Sequence, residues 1–187
     1  MVKEYQSIIN NDVWEVVSIL MNKSVISSRW IYKTKHLTDD SIENYKEISV
    51  AHGFSQKEGI DYEETFSPLA RYTSIRTILA LESKMKWNLH QMDVKTTFLN
   101  GLIEEEVYIE QPQGFETDNQ KNHVCKLKKA LYGLKQEPRA WYGRIDGFLM
   151  SLAFTKSKAD SNLYYKVEDD GLMILLRYVD DLFLTGE

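Results

Sequence analysis

The sequence predicts an α+β fold, an antiparallel sheet backed by helices, and three observations predict it. Residues 172–176 form an apolar run of strand length that leads to two adjacent carboxylates, Asp180 and Asp181, before a second apolar run begins at Leu182. That pattern reads as a β-hairpin with acid at its turn. Two other stretches space their apolar residues at helical intervals. Strands and helices do not alternate as a regular βαβ series, which argues against a parallel sheet.

A chain of 187 residues with 43% hydrophobic content can bury a core as one domain, or as one domain with two lobes. It contains no apolar run long enough to span a bilayer, and Met1-Val2-Lys3-Glu4 does not open a signal peptide, so a soluble intracellular protein is expected. The single Cys125 cannot form an internal disulfide and is expected to be a buried small residue; without a Cys/His cluster, a zinc site is not expected.

Taken in order, residues 12–17 are a short strand or turn packed by Trp14, within an opening segment that runs to Ser28. Residues 28–35 alternate Trp30, Tyr32 and Thr34 against Arg29, Ile31, Lys33 and Lys35, a strand with a partly basic face. Thr38-Asp39-Asp40-Ser41 supplies a turn, and residues 42–54 return as the partner strand. A helix follows with Thr73 as N-cap, Ile75, Ile78, Leu79 and Leu81 as its apolar face, and an end near Lys86. Leu89, Met92 and Val94 mark a short strand ending near Asp93. Residues 104–111 read as an edge strand with an acidic start, 113–122 as a polar loop, and 123–129 as a strand. Pro138 opens a helix in which Trp141, Ile145, Phe148, Leu149 and Leu152 share one face, closing near Ala153. Residues 160–166 are a further strand, and 168–171 turn into the final hairpin.

Adjacent aspartates occur three times, and the comparison is informative. Asp39-Asp40 and Asp169-Asp170 lie among polar neighbours and read as solvated turns, whereas Asp180-Asp181 is framed by apolar strands. Two carboxylates on so tight a turn repel each other unless a positive group sits between them; the plain alternative is an exposed turn. Asp93, at the end of its own short strand, is the third acid in such a setting. If the strands are neighbours, the three converge on hard oxygen ligands of the kind two-metal phosphoryl transfer needs, with two Mg²⁺ ions about 4 Å apart.

The net charge of −5 argues against a nucleic-acid partner, but its distribution argues for one. Residues 121–144 carry Lys121, Lys126, Lys128, Lys129, Lys135, Arg139 and Arg144 against Glu137 alone, leaving this window at +6 and the remainder at −11. Interleaved with Tyr132, Trp141 and Tyr142, the strip suits a phosphate backbone or a triphosphate; the alternative is a solvated face whose lysine stems cover apolar surface.

Tyr178-Val179-Asp180-Asp181 resembles the YxDD signature of reverse transcriptases, and Gln91-Met92-Asp93-Val94-Lys95-Thr96-Thr97-Phe98-Leu99-Asn100-Gly101 resembles the first-aspartate motif of copia-type LTR retrotransposon polymerases. The likeness continues through Trp30-Ile31-Tyr32-Lys33, Gly53-Phe54-Ser55-Gln56, Thr65-Phe66-Ser67-Pro68, Val107-Tyr108-Ile109-Glu110-Gln111-Pro112 and Leu131-Tyr132-Gly133-Leu134-Lys135-Gln136. It runs from about Asn10 to Gly186, and so many ordered blocks are far more specific than one motif.

The resemblance implies a single reverse transcriptase domain without a thumb. Its fingers would be approximately residues 1–72 and 101–135, and its palm approximately 73–100 and 136–187. It implies RNA-directed DNA polymerisation, with Asp93, Asp180 and Asp181 catalytic and, together with the Val94 carbonyl, ligands for two Mg²⁺ or Mn²⁺ ions. Val94, Phe98, Gly133 and Tyr178 would bind nucleotide, Phe98 as the steric gate against a 2′-hydroxyl, with Val179 strained at the turn. Lys126, Lys128, Lys129, Lys135 and Arg139 would bind nucleic acid. The implied partners are an RNA template, a DNA primer or RNA/DNA hybrid, dNTPs, and the integrase and RNase H of a polyprotein, in cytoplasm or a virus-like particle, with no membrane.

The second fingers strand departs from the family. Where relatives read roughly Tyr-Lys-Ala-Arg-Leu-Val-Ala-Lys-Gly, this chain has Tyr45-Lys46-Glu47-Ile48-Ser49-Val50-Ala51-His52-Gly53, so Ile48 and His52 replace an Arg and a Lys. The chain also stops six residues past Asp181, before the family's thumb, connection and RNase H. Three readings follow: an active polymerase domain, a catalytically inactive retrotransposon remnant, and a nucleic-acid-binding module without polymerase activity.

Overall fold

The computed structural model describes residues 1–19, 23–116, 122–169 and 171–187, so Lys121 and Asp170 lie outside the described residues. The fold is α+β, and the chain forms two compact units, residues 1–65 with 98–141 and residues 66–97 with 142–187.

The first unit is built on a sheet ordered β1-β7-β6-β2, from β1 (Trp14–Ser18), β2 (Val25–Ile26), β6 (Tyr108–Ile109) and β7 (His123–Leu127). Its core gathers Ile8, Trp14, Ile26, Leu99, Ile109 and Leu131, all buried. Helix α1 (Val2–Asn10), which the sequence reading does not contain, delivers Ile8 to that core. It is short and its N-cap Met1 makes no side-chain cap hydrogen bond, so the usual start signal is missing. Strands β3 (Ser28–His36) and β4 (Ile42–Ala51) form a separate antiparallel pair, and Asp40 takes φ +62° at the turn between them. Cys125 is 1% exposed, and burial pushes its thiol up to about 12.

Residues 104–111 are not an edge strand. Only Tyr108–Ile109 is extended, and it lies between β7 and β2 with Val107, Tyr108 and Ile109 all buried. An unbroken apolar triplet suits a strand covered on both faces better than one with a wet side.

The second unit holds a five-stranded antiparallel sheet ordered β5-β11-β10-β9-β8. Its strands are β5 (His90–Asp93), β8 (Thr155–Lys156), β9 (Leu163–Glu168), β10 (Gly171–Tyr178) and β11 (Asp181–Gly186). The strand expected at 160–166 begins three residues later, because Asp160 and Asn162 are taken up in buried side-chain bonding.

Helix α2 (Tyr72–Met85) starts one residue before the expected cap: Arg71 is its N-cap and Thr73 lies inside the helix. The capping carboxylate comes from elsewhere in the chain. Asp160 Oδ2 accepts from the Arg71 N–H at 2.9 Å and from the Ser74 hydroxyl at 2.6 Å. Burial would raise the Asp160 pKa, but hydrogen bonds from Ser74, Arg71 and Asn162 outweigh it and hold the carboxyl below its ordinary value. Lys86 closes the helix in the left-handed conformation at φ +58°.

Helix α3 (Glu137–Ser151) buries Trp141, Ile145 and Leu149 but leaves Phe148 50% exposed; Leu152, just past its end, is 45% exposed. The buried stripe is the narrow i, i+4, i+8 row, not the wider face expected. No helix among the described residues is long and apolar enough to cross a membrane.

Candidate active site

The aspartate pair sits where β10 turns into β11. Tyr178 pairs with Asp181, so Val179 and Asp180 alone form the loop. Val179 has φ +58° and Asp180 does not have positive φ, the pattern of a type II′ hairpin, which normally places glycine first. A β-branched side chain there is strained and persists only where the surroundings over-determine the backbone.

On the other side of β11, Asp181 is in register with Asp93, the last residue of β5. Cross-strand partners project from the same face, about 5 Å apart at Cβ. Tyr178, Asp181 and Asp93 therefore form one row across three strands. The Val94 N–H continues the pairing, donating to the Asp180 carbonyl at 3.0 Å. The Val94 carbonyl accepts the Thr97 hydroxyl at 2.5 Å. Gln91, two residues before Asp93 and so on its face, donates from Nε2 to Asp181 Oδ1 at 3.1 Å.

The donor set of Asp93, Asp180, Asp181 and the Val94 carbonyl is all hard oxygen, which fits Mg²⁺ or Mn²⁺. Among the described residues, however, no three His, Cys, Asp or Glu side chains are drawn close enough to hold an ion. The sheet register brings Asp93 and Asp181 opposite one another without closing a three-carboxylate cluster. Mutual repulsion opposes such a cluster, and Asp181 turns to the Gln91 amide.

Behind this row, on the opposite face of β10, lies a buried arginine. Arg177 is 2% exposed and donates from Nε to Asn162 Oδ1 at 2.9 Å, from Nη2 to the same oxygen, and from Nη2 to the Pro68 carbonyl at 3.3 Å. Its guanidinium lies 4.5 Å from the centre of the Tyr142 ring. Tyr142, Tyr164, Asp146 and Lys156 extend the network, with the Tyr164 hydroxyl on Asp146 at 2.7 Å and Lys156 Nζ on Asp146 at 2.8 Å.

In the other unit, Phe98 is half-buried and meets Tyr132 edge to face, with centroids 5.3 Å apart and an 89° interplanar angle. Gly133 has φ +90°, and a Cβ there would stand 2.3 Å from the Ala51 carbonyl oxygen. The close approach that demands glycine is thus to β4, which Tyr132 also meets by accepting the Ala51 N–H at 2.7 Å.

Three cations of the basic strip are paired with carboxylates of the chain itself. Lys126 pairs with Glu106 at 3.2 Å, Lys128 with Asp12 at 3.0 Å and Glu15 at 3.6 Å, and Arg139 with Glu64. Lys135 donates to the Tyr62 hydroxyl at 3.0 Å and lies over that ring, while Lys129 is half-buried with its N–H on the Val13 carbonyl. Lysine salt bridges at 37–41% side-chain exposure are worth little energetically, yet they offset the charge that a phosphate would read.

Sequence reasoning overlooked Gln91 and Arg177. The period-2 spacing from Asp93 marks Gln91, and a lone cation ending the apolar run 172–176 marks Arg177.

Residues 11–187 match the family model described as reverse transcriptase (RNA-dependent DNA polymerase). The chain is 43% identical over 188 residues to the retrovirus-related Pol polyprotein from transposon TNT 1-94 of Nicotiana tabacum, covering 100% of this chain and 14% of that protein. It is 40% identical over 184 residues to the corresponding polyprotein from transposon RE1 of Arabidopsis thaliana, and 39% over 184 residues to that from transposon RE2, in each case covering 98% of this chain and 13% of the relative. It thus spans about one seventh of these relatives' length. With whole-chain likeness to the Pol polyproteins of plant copia-type transposons, this chain belongs to the reverse transcriptase family.

Proposed function

We propose that the chain is an RNA-directed DNA polymerase domain of a copia-type polyprotein, carrying out template-directed nucleotidyl transfer at Asp93, Asp180 and Asp181. The observation that carries this reading is the register of β5 against β11, which sets Asp93 opposite Asp181 beside the two-residue loop holding Asp180. The palm would be approximately residues 73–100 and 136–187 and the fingers approximately 1–72 and 101–135, a division that runs close to that between the two compact units.

Asp93, Asp180, Asp181 and the Val94 carbonyl would hold the divalent cations, which when bound supply activation of the primer hydroxyl and stabilisation of charge on the departing pyrophosphate. Gln91 holds Asp181 in one orientation, leaving the second carboxylate oxygen to a ligand. Tyr178, in the same row, is 38% exposed and would meet the primer end. By the family resemblance, Phe98 would act as the steric gate against a 2′-hydroxyl and Gly133 would lie beside the incoming nucleotide. Lys126, Lys128 and Arg139 would reach phosphate once released from their carboxylates, Lys135 once released from Tyr62, and Lys129 beside them. Template and primer would be an RNA and a DNA strand, and the rest of a Pol polyprotein would supply integrase and RNase H.

A second reading, a folded domain without polymerase activity, has its own observation. Ile48 stands across from Ile31, and His52 bonds Ser27 through Nδ1 at 2.7 Å and stacks on Phe54, so both positions are committed to local contacts where the family places cations. Extension of a DNA primer on an RNA template with Mg²⁺, beside Asp93→Asn and Asp181→Asn, separates the two. Wild-type extension abolished in both variants supports the first; no extension in any protein, with wild-type folding intact, overturns it.

A further inference from the structure

We infer that Arg177 is a positioning residue, whose buried guanidinium holds the strained Val179 turn and thereby the orientation of Asp180 and Asp181. The inference deepens the proposed function and rests on it only for its activity readout.

Arg177 immediately precedes Tyr178, and its cross-strand partner Leu182 immediately follows Asp181, so this pair flanks the pair that closes the loop. The guanidinium makes no carboxylate ion pair among the described residues. Its donors go to Asn162 Oδ1 and the Pro68 carbonyl, and the Tyr142 ring lies against it. The Arg177 N–H also donates to the Asn162 carbonyl at 2.9 Å, so backbone and side chain grip one residue. Asp146 acts on Arg177 only at longer range, its oxygens being occupied by Tyr164 and Lys156.

Burying an arginine without a carboxylate is an inefficient way to stabilise a sheet, and its loss would leave the buried Asn162 Oδ1 without these donors, so some fall in global stability accompanies any local effect. What the guanidinium adds is direction: three hydrogen bonds fix the end of β10 against the 160–162 loop and the segment at Pro68. Val179 at φ +58° needs such a fixed neighbour, since without it the turn relaxes and the two aspartates lose their orientation. Glycine at that position carries no such strain, which yields a sharp test.

The test compares Arg177→Met, Arg177→Lys, Val179→Gly and the double variant Arg177→Met/Val179→Gly by amide hydrogen exchange, with urea unfolding as the measure of global stability. Arg177→Met should speed exchange at residues 178–182 at least tenfold beyond any change in global stability, and Arg177→Lys by an intermediate factor. In the Val179→Gly background the same Met substitution should change exchange less than threefold. In primer extension, Arg177→Met should lower kcat at least tenfold while KM for the nucleotide stays within threefold.

Exchange that rises uniformly across the sheet, or equally in both backgrounds, overturns the proposal. If Arg177→Met does not fold, Arg177→Lys with and without Val179→Gly decides it by the same comparison. A wild-type chain without extension activity removes the proposed function, whereas the exchange measurement still decides the role of Arg177.

Discussion

Asp93 and Asp181 face each other across β5 and β11 as directly paired residues, and both are acids. Like charges so placed destabilise a sheet, typically by about 0.2–1 kcal/mol. Asp181→Asn should therefore raise the melting temperature of metal-free protein by about 1–2 °C. On the proposed reading Mg²⁺ should raise the wild-type melting temperature further, and the same variant should lose most of that rise. Thermal melts with and without Mg²⁺ measure both, and an equal Mg²⁺ shift in the two proteins would remove Asp181 from the ion site.

Asp160 gives stability that acid takes away. Its folded pKa lies below the ordinary value, so the folded state binds fewer protons than the unfolded; the contribution is present above the unfolded pKa and lost as pH falls through the folded one. Asp160→Asn should cost about 1–2 kcal/mol at neutral pH, as a lost helix cap does. It should also flatten the acid side of the stability profile. Urea midpoints between pH 3 and 7 would show this; an unchanged acid slope would refute it.

Glu137 runs the opposite way. Burial raises its carboxyl to about 7, against the lowering effect of the Gly133 and Leu134 amides. The folded state then holds a proton that the unfolded state has released, so this stability is complete below about pH 4.5 and disappears as pH rises through about 7. Glu137→Gln should remove the decline across that window, read from the same urea series at finer pH spacing.

Gly133→Ala should be severe. The added methyl would meet the Ala51 carbonyl oxygen at 2.3 Å and would have to accept φ +90°. A loss of about 3 kcal/mol or more in unfolding free energy is expected from strain and overpacking together. A near-neutral result would mean that β4 shifts freely away from Gly133.

What was legible in the sequence was local. The apolar runs around Asp180-Asp181 specify a hairpin because a two-residue loop leaves little choice of pairing. Strand β5 ends at Asp93 as its composition suggests, and its pairing with β11 needed only one further step. What stayed hidden depends on partners far along the chain. The carboxylate that caps α2 is Asp160, 89 residues from Arg71, so Thr73 looked like the cap. The basic strip read as free charge because Asp12, Glu64 and Glu106 lie outside its window. Phe148 followed the helical period yet stays exposed, since periodicity marks a face but not how much of it is covered.

The loop of two residues between Tyr178 and Asp181 carries a consequence for inheritance. Alternate residues of a strand point to opposite sides, so an added or removed codon that the loop cannot absorb as a bulge would re-pair β11 one step out of phase. Asp181 would then exchange sides with Leu182, leaving a carboxylate on the side of Arg177 and a leucine beside Asp93. Lineages of this chain should accordingly tolerate substitution along β10 and β11 far better than any change in their length.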